Sequence, residues 1–247
     1  MPNERHNLSS LRRRCPMLLI SDKTQNAYMR IKQALLRHET APNTFINIRT
    51  VATRMRVSPT PVREALIRLA DEDVIQFAAG RGYYSKPIKA DEVKAEYEMA
   101  FMIAKYSIEK NKIEFDRIPP VLVPEIRGQS DLSDKENEAD GVANYLETLY
   151  ERLAMISGNP KLVKVTHQFG ERTHHIRRFG LMVEPEFIEF YSHMSGLEKL
   201  LLEGDQASAL KSLVQQHHAK SDILQHVLEK FEFRAETSKA VLEDLLG

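Results

Sequence analysis

The chain has 247 residues, with 35 Lys and Arg against 35 Asp and Glu, and one cysteine. That length holds two modest domains with real cores. The lone Cys15 excludes an internal disulfide and points to a reducing compartment, and the lack of any run of about 18 apolar residues speaks against a membrane-spanning helix.

Charge is unevenly spread. Residues 1–89 carry 16 Lys and Arg against 7 Asp and Glu, and residues 90–247 carry 19 against 28. A basic first third beside an acidic remainder fits one part meeting a polyanion, although proteins without a nucleic-acid partner also show such asymmetry.

Residues 1–20 read as a flexible basic arm. The stretch Arg12-Arg13-Arg14-Cys15-Pro16-Met17-Leu18-Leu19-Ile20 faintly resembles an export signal, but its apolar part is too short and lacks a small-residue cleavage site. A first helix is expected over Asp22 to His38, burying Ala27, Ile31, Ala34 and Leu35. A second is expected over Ile48 to Met55, with Val51, Ala52 and Met55 inward and Arg49, Arg54 and Arg56 on or beside it.

The segment Val57-Ser58-Pro59-Thr60-Pro61-Val62-Arg63-Glu64-Ala65-Leu66 follows. Ser58 is placed to cap a helix by accepting a bond from a first-turn N–H, and Pro59 and Pro61 suit a first turn that needs no N–H from them. Val62, Ala65, Leu66 and Leu69 recur at helical spacing and form an apolar back. Thr60, Arg63 and Ile67 share another face. Two short helices of this kind form a helix-turn-helix. Next, Val74 to Phe77 reads as a strand, Ala78 to Gly82 as a turn, and Tyr83 to Pro87 as a returning strand. The hairpin is a wing, and Arg81 at its tip is placed to reach a phosphate or a minor groove.

The run VSPTPVREALIRLADEDVIQFAAGRGYY resembles the winged helix of GntR-family bacterial transcriptional regulators, over about residues 20–88. The resemblance implies that Arg63 contacts bases, that Arg49 in the preceding helix contacts DNA, and that Gly80 and Gly82 are the wing glycines. Many family members have Arg after the capping Ser, where this chain has Pro59, so one common DNA contact is in doubt.

From Ala90 onward the pattern is almost wholly helical: Asp91 to Asn111, Val142 to Ile156, Leu162 to Phe179, Glu186 to Leu202, Asp205 to Phe231, and a short last helix over Ala235 to Leu246. Residues 116–136 read as a mobile loop or broken helix. The fold class expected is therefore mostly α: a winged helix-turn-helix over residues 21–88 with a small β-hairpin wing, then an antiparallel all-α bundle over residues 89–247 that binds an effector and dimerises. This layout resembles the FadR-type branch of the family.

That branch often carries an Asp and a His in the helix before an Asn-Pro stop. With later histidines they form a divalent-metal site, of the kind Zn or Ni would fill. Counting back from Asn159, the His position is Tyr150 and the Asp position is Leu146, so both ligands are lost. An Arg that pairs with acidic effectors aligns near Ala100. His193 and His217-His218 are kept, and the candidate effector-binding residues are Tyr150, His193, His217 and His218. His193 and His217 alone make too few ligands for a firm metal site. His217 lies on the stripe Leu210, Val214, His217, Ser221, Leu224 and Leu228, and reads as an inward core histidine, with effector contact and metal ligation as alternatives. His167, His174 and His175, with Arg172 and Arg177, read as a solvated face in preference to a pocket. Loss of the metal-ligand Asp and His and of the Arg implies a less anionic effector than the branch average, or none.

No activated nucleophile, paired-carboxylate motif, phosphate-binding Gly loop or complete metal set is visible, so no enzyme is expected. The expectation is a cytoplasmic, nucleoid-associated bacterial repressor. It forms a homodimer on an inverted-repeat operator of double-stranded DNA, answers to a small-molecule metabolite, and has no membrane association. The alternative is a winged-helix module that binds protein and lacks sequence-specific DNA binding.

Overall fold

The structure, a computed structural model, describes residues 22–36, 40–87, 89–122, 124, 132–184, 186–237 and 241–246. The basic arm expected over residues 1–20 lies outside the described residues. Helix α1 (Asp22–Leu36) packs on α3 (Pro59–Asp71), with α2 (Ile48–Met55) against α3. Ala27, Ile31, Val51, Val62, Ala65, Leu66 and Leu69 are completely buried between them, which is the stripe the spacing predicts.

The wing pairs β1 (Ile75–Ala78) antiparallel with β2 (Gly82–Ser85), Ile75 opposite Ser85 and Ala78 opposite Gly82. The strands begin one residue later and one earlier than the pattern suggests, because the Gly80 and Gly82 backbone (φ +73° and +110°) lets a three-residue turn close on Ala78 O. The residues before α2 add a pairing that alternation does not show. Phe45 bridges Tyr84, and the Ile46 N–H donates to Tyr83 O at 2.9 Å.

The remainder is helical: α4 (Ala90–Lys110), α5 (Leu132–Ile156), α6 (Pro160–Val183), α7 (Glu186–Leu202) and α8 (Gln206–Thr237). α6 packs along α5, and α8 lies against α4, α6 and α7. Tyr97, Leu146, Leu149, Leu153, Phe169, Leu224 and Leu228 are buried among the core of this bundle. α5 starts at Leu132, inside the span read as loop, since the polar run before Val142 continues a helix that only later meets the core. Of that span, residues 123 and 125–131 lie outside the described residues.

The chain end departs most from expectation. α8 runs on to Thr237, and the last element is a 3-10 helix, Leu242–Leu246, packed against α1 and α2. Leu242 and Leu246 sit in the core of the winged helix, so this tail does not pack in the bundle core. A buried Lys32 joins the two parts elsewhere, bonding Glu72 at 3.1 Å and Glu171 of α6 at 2.8 Å. Burial opposes its charge, but these partners and Tyr28 hold the ammonium above its ordinary pKa. No helix among the described residues is long and apolar enough to cross a membrane.

Candidate nucleic-acid interface

α2 starts at Asn47, whose side chain accepts bonds from the Arg49 and Thr50 N–H groups at 3.0 and 3.2 Å. This N-cap aims the first turn outward and leaves Arg49 exposed. α2 ends at Arg56, held at φ +56° by bonds from its N–H to Ala52 O and Thr53 O. A non-glycine residue in that region is uncommon, and here it makes the tight turn of the helix-turn-helix.

Ser58 occupies the N-cap position of α3 with extended backbone, but its side chain makes no capping bond. The expected cap therefore does not form. Pro61, the third helical residue, has no N–H to give, and the N–H of Thr60, the second, is not bonded by Ser58 either. Pro59 and Pro61 preset the first turn instead, and Ser58 stays exposed. Thr60, Arg63 and Ile67 are exposed on α3 as the spacing predicts, with Ile67 at 47%.

Arg81 is exposed at the wing tip beside Gly80, while Gly82 is half-buried. A Cβ on Gly82 would meet Phe45 Cε2 at 2.9 Å, so glycine is favoured there by the neighbouring ring as well as by φ. Arg49, Arg63 and Arg81 have no ion-pair partner among the described residues. Arg68, by contrast, is folded back over the Tyr28 ring at 3.6 Å and bonds Glu72 at 3.0 Å. Phe77, 60% exposed, leans on Tyr83 at a centroid distance of 5.1 Å. The surface thus combines one helix N-terminus, unpaired arginines from three elements, and exposed apolar groups.

The candidate effector residues are not gathered into one site. Tyr150 is buried, whereas His193 and His218 are exposed. His217 is half-buried and stacked flat on Phe101, 3.9 Å between centroids. Burial pushes its imidazole below the ordinary pKa, and Lys220 and His218 add to that. The stripe of α8 that points inward runs through Ala209, Leu213, Gln216 and Lys220, one residue off the expected Leu210, Val214, His217 and Ser221, and meets the expected one again at Leu224 and Leu228.

Lys220 stands over the Tyr97 ring at 4.0 Å and within 3.4 Å of the Tyr150 hydroxyl. Burial, then Arg177, push its ammonium well below the ordinary lysine value. Arg177 is 1% exposed and donates to Thr173 Oγ1 and Glu147 Oε1, each at 2.7 Å, and to Gly170 O at 2.9 Å. Burial would raise the Glu147 pKa, but His174 and Arg177 outweigh it and hold the carboxyl below its ordinary range. The expected solvated face is therefore wrong for Arg177 and His175, both buried: Glu147 of α5 accepts from Arg177, and the Phe231 ring of α8 lies 5.4 Å from the His175 ring. Only His167 of that group is well exposed.

Residues 23–84 match the family model "Bacterial regulatory proteins, gntR family". The chain is 24% identical over 178 residues to the Nta operon transcriptional regulator of Aminobacter aminovorans, spanning 71% of this chain and 83% of that protein. Among solved structures it is similar to McbR/YncC of E. coli, at 16% identity and a TM-score of 0.56 over 83% of this chain and 98% of the other. It is also similar to a protein described as a GntR transcriptional regulator from Rhodococcus sp. RHA1, at 14% identity and a TM-score of 0.57 over 83% and 99%. These structural likenesses establish a shared fold.

Proposed function

We propose that this chain, whose residues 23–84 are a GntR-family winged helix, is a sequence-specific DNA-binding repressor of the FadR-type branch. The observation that carries the reading is the exposed set Arg49, Thr60, Arg63 and Arg81, presented by α2, α3 and the wing tip. α3 enters a major groove with Thr60 and Arg63 near its N-terminus, where the helix dipole favours phosphate. Arg81 reaches the flanking backbone or minor groove. The helical domain forms a two-fold dimer, so the operator is an inverted repeat with its half-sites on one face of the duplex.

The same domain takes a small-molecule effector that biases the spacing of the two winged helices. Tyr150 and His217 remain as contacts, while His193 and His218 face solvent. Arg177 already has Glu147 as its partner, which supports an effector less anionic than the branch average. The residues do not fit a divalent cation. Leu146 is apolar, and Lys220 and Arg177 bring positive charge to the place where ligands would be needed. Stoichiometric uptake of Zn²⁺ or Ni²⁺ by the full chain would overturn this.

Genomic-fragment selection with the purified protein, followed by footprinting, tests the whole reading. A short inverted-repeat footprint is the expected result. A folded, dimeric protein that enriches no sequence would refute it and favour a winged helix that binds protein.

A further inference from the structure

The final 3-10 helix, Leu242–Leu246, lies 1% and 3% exposed at its two end leucines, packed into the winged-helix core with Ala27, Ile31, Val51 and Met55. Three polar contacts hold it in place. Glu243, 6% exposed, accepts the Asn47 backbone N–H at 2.9 Å. Arg30 Nη2 donates to Leu246 O at 2.9 Å, and Arg54 faces Asp244 at 3.6 Å.

The Glu243 contact has a specific meaning. Asn47 is the N-cap of α2, and an N-cap residue's own N–H has no partner inside the helix. In a capping box a Glu or Gln at the third helical position reaches back to satisfy it. Here that position is Thr50, and the carboxylate arrives from 196 residues away. It also places negative charge at the positive end of the α2 dipole.

We propose that the chain end is a clamp belonging to the DNA-binding domain: it completes the cap of α2 and ties the first helix of the helix-turn-helix to the end of α8. Three residues separate Thr237 from Val241. α8 is also the helix that carries Lys220 into the bundle core. The tail is thus a second covalent route between α8 and the cap of α2, apart from the linker before α4. The clamp itself does not depend on the regulator reading. Its consequence for DNA recognition does.

Hydrogen exchange on the full chain, compared with a chain ending at Ala240, tests this. Burial of two leucines makes the expected rise in α1 and α2 exchange roughly a hundredfold, with α5 and α6 unchanged. Should the truncated chain fail to fold, Glu243→Ala in the full chain, which leaves no side-chain acceptor, reads the cap alone. It is expected to speed exchange in the first turn of α2 several-fold. Unchanged α1 and α2 exchange in both variants, or an equal rise in α5 and α6, overturns the clamp. Faster α2 exchange with undiminished operator affinity overturns its link to DNA recognition. A wild-type chain that selects no operator refutes the regulator reading, and the exchange data still decide the clamp.

Discussion

Gly82→Ala separates two costs at the base of the wing. The first is backbone: at φ +110° an L side chain is strained by about 1–2 kcal/mol. The second is contact, because the new Cβ would lie 2.9 Å from Phe45 Cε2. Phe45 is 48% exposed, so the ring can swing away rather than force the strand apart. Doing so gives up its edge-on contact with Tyr84, 5.5 Å between centroids, worth about 0.5–1.5 kcal/mol. The sum is roughly 1.5–3.5 kcal/mol. Gly80→Ala is the internal control, since Gly80 also has positive φ (+73°) but no atom within 4 Å of an added Cβ. It is expected to cost about 1 kcal/mol. Urea unfolding followed by circular dichroism compares the two, the chain having no tryptophan to report fluorescence. Equal losses would refute the claim that Phe45 adds to the preference for glycine at 82.

Arg63→Ala is expected to weaken operator binding by about 1–3 kcal/mol and to relax sequence choice, read by competition between operator and random duplex. A variant that binds both as wild type does would remove Arg63 from the interface. Lys220→Met is expected to stabilise the chain near neutral pH, because the ammonium is costly where it is buried. The folded pKa lies below the ordinary 10.5, so the unfolded chain binds more protons in that window. Wild-type stability therefore gains relative to the variant as pH rises toward 10.5, by up to about 1.4 kcal/mol per unit, and is lost as pH falls. A gap between the two proteins that stays constant from pH 7 to 10 in urea titrations would contradict this.

The winged helix was legible because its signals are local. The prolines of α3, the four-residue apolar spacing and the two wing glycines act within a turn or two of themselves, so their physics needs no distant partner. The same holds for the exposed faces of Thr60, Arg63 and Arg81.

What the fold alone decided depends on partners remote in sequence. Phase on a long helix is one case. Which of Gln216, His217 and Lys220 points inward on α8, a helix of 32 residues, is settled by α4 and α6 packing on it, and a one-residue error moves a side chain by about 100°. Burial of Arg177 is another, because a charge-rich stretch reads as surface until Glu147, 30 residues away on α5, pairs with it. The tail is the clearest. Leu242-Glu243-Asp244-Leu245-Leu246 looks like one more helical turn of the bundle, and nothing in its own residues says that the apolar side chains will fill the first core or that Glu243 will cap α2. The amino-acid sequence determined the winged-helix module through short-range geometry. Tertiary structure decided how that module is held, because contacts such as that of Asn47 with Glu243 join residues 196 positions apart.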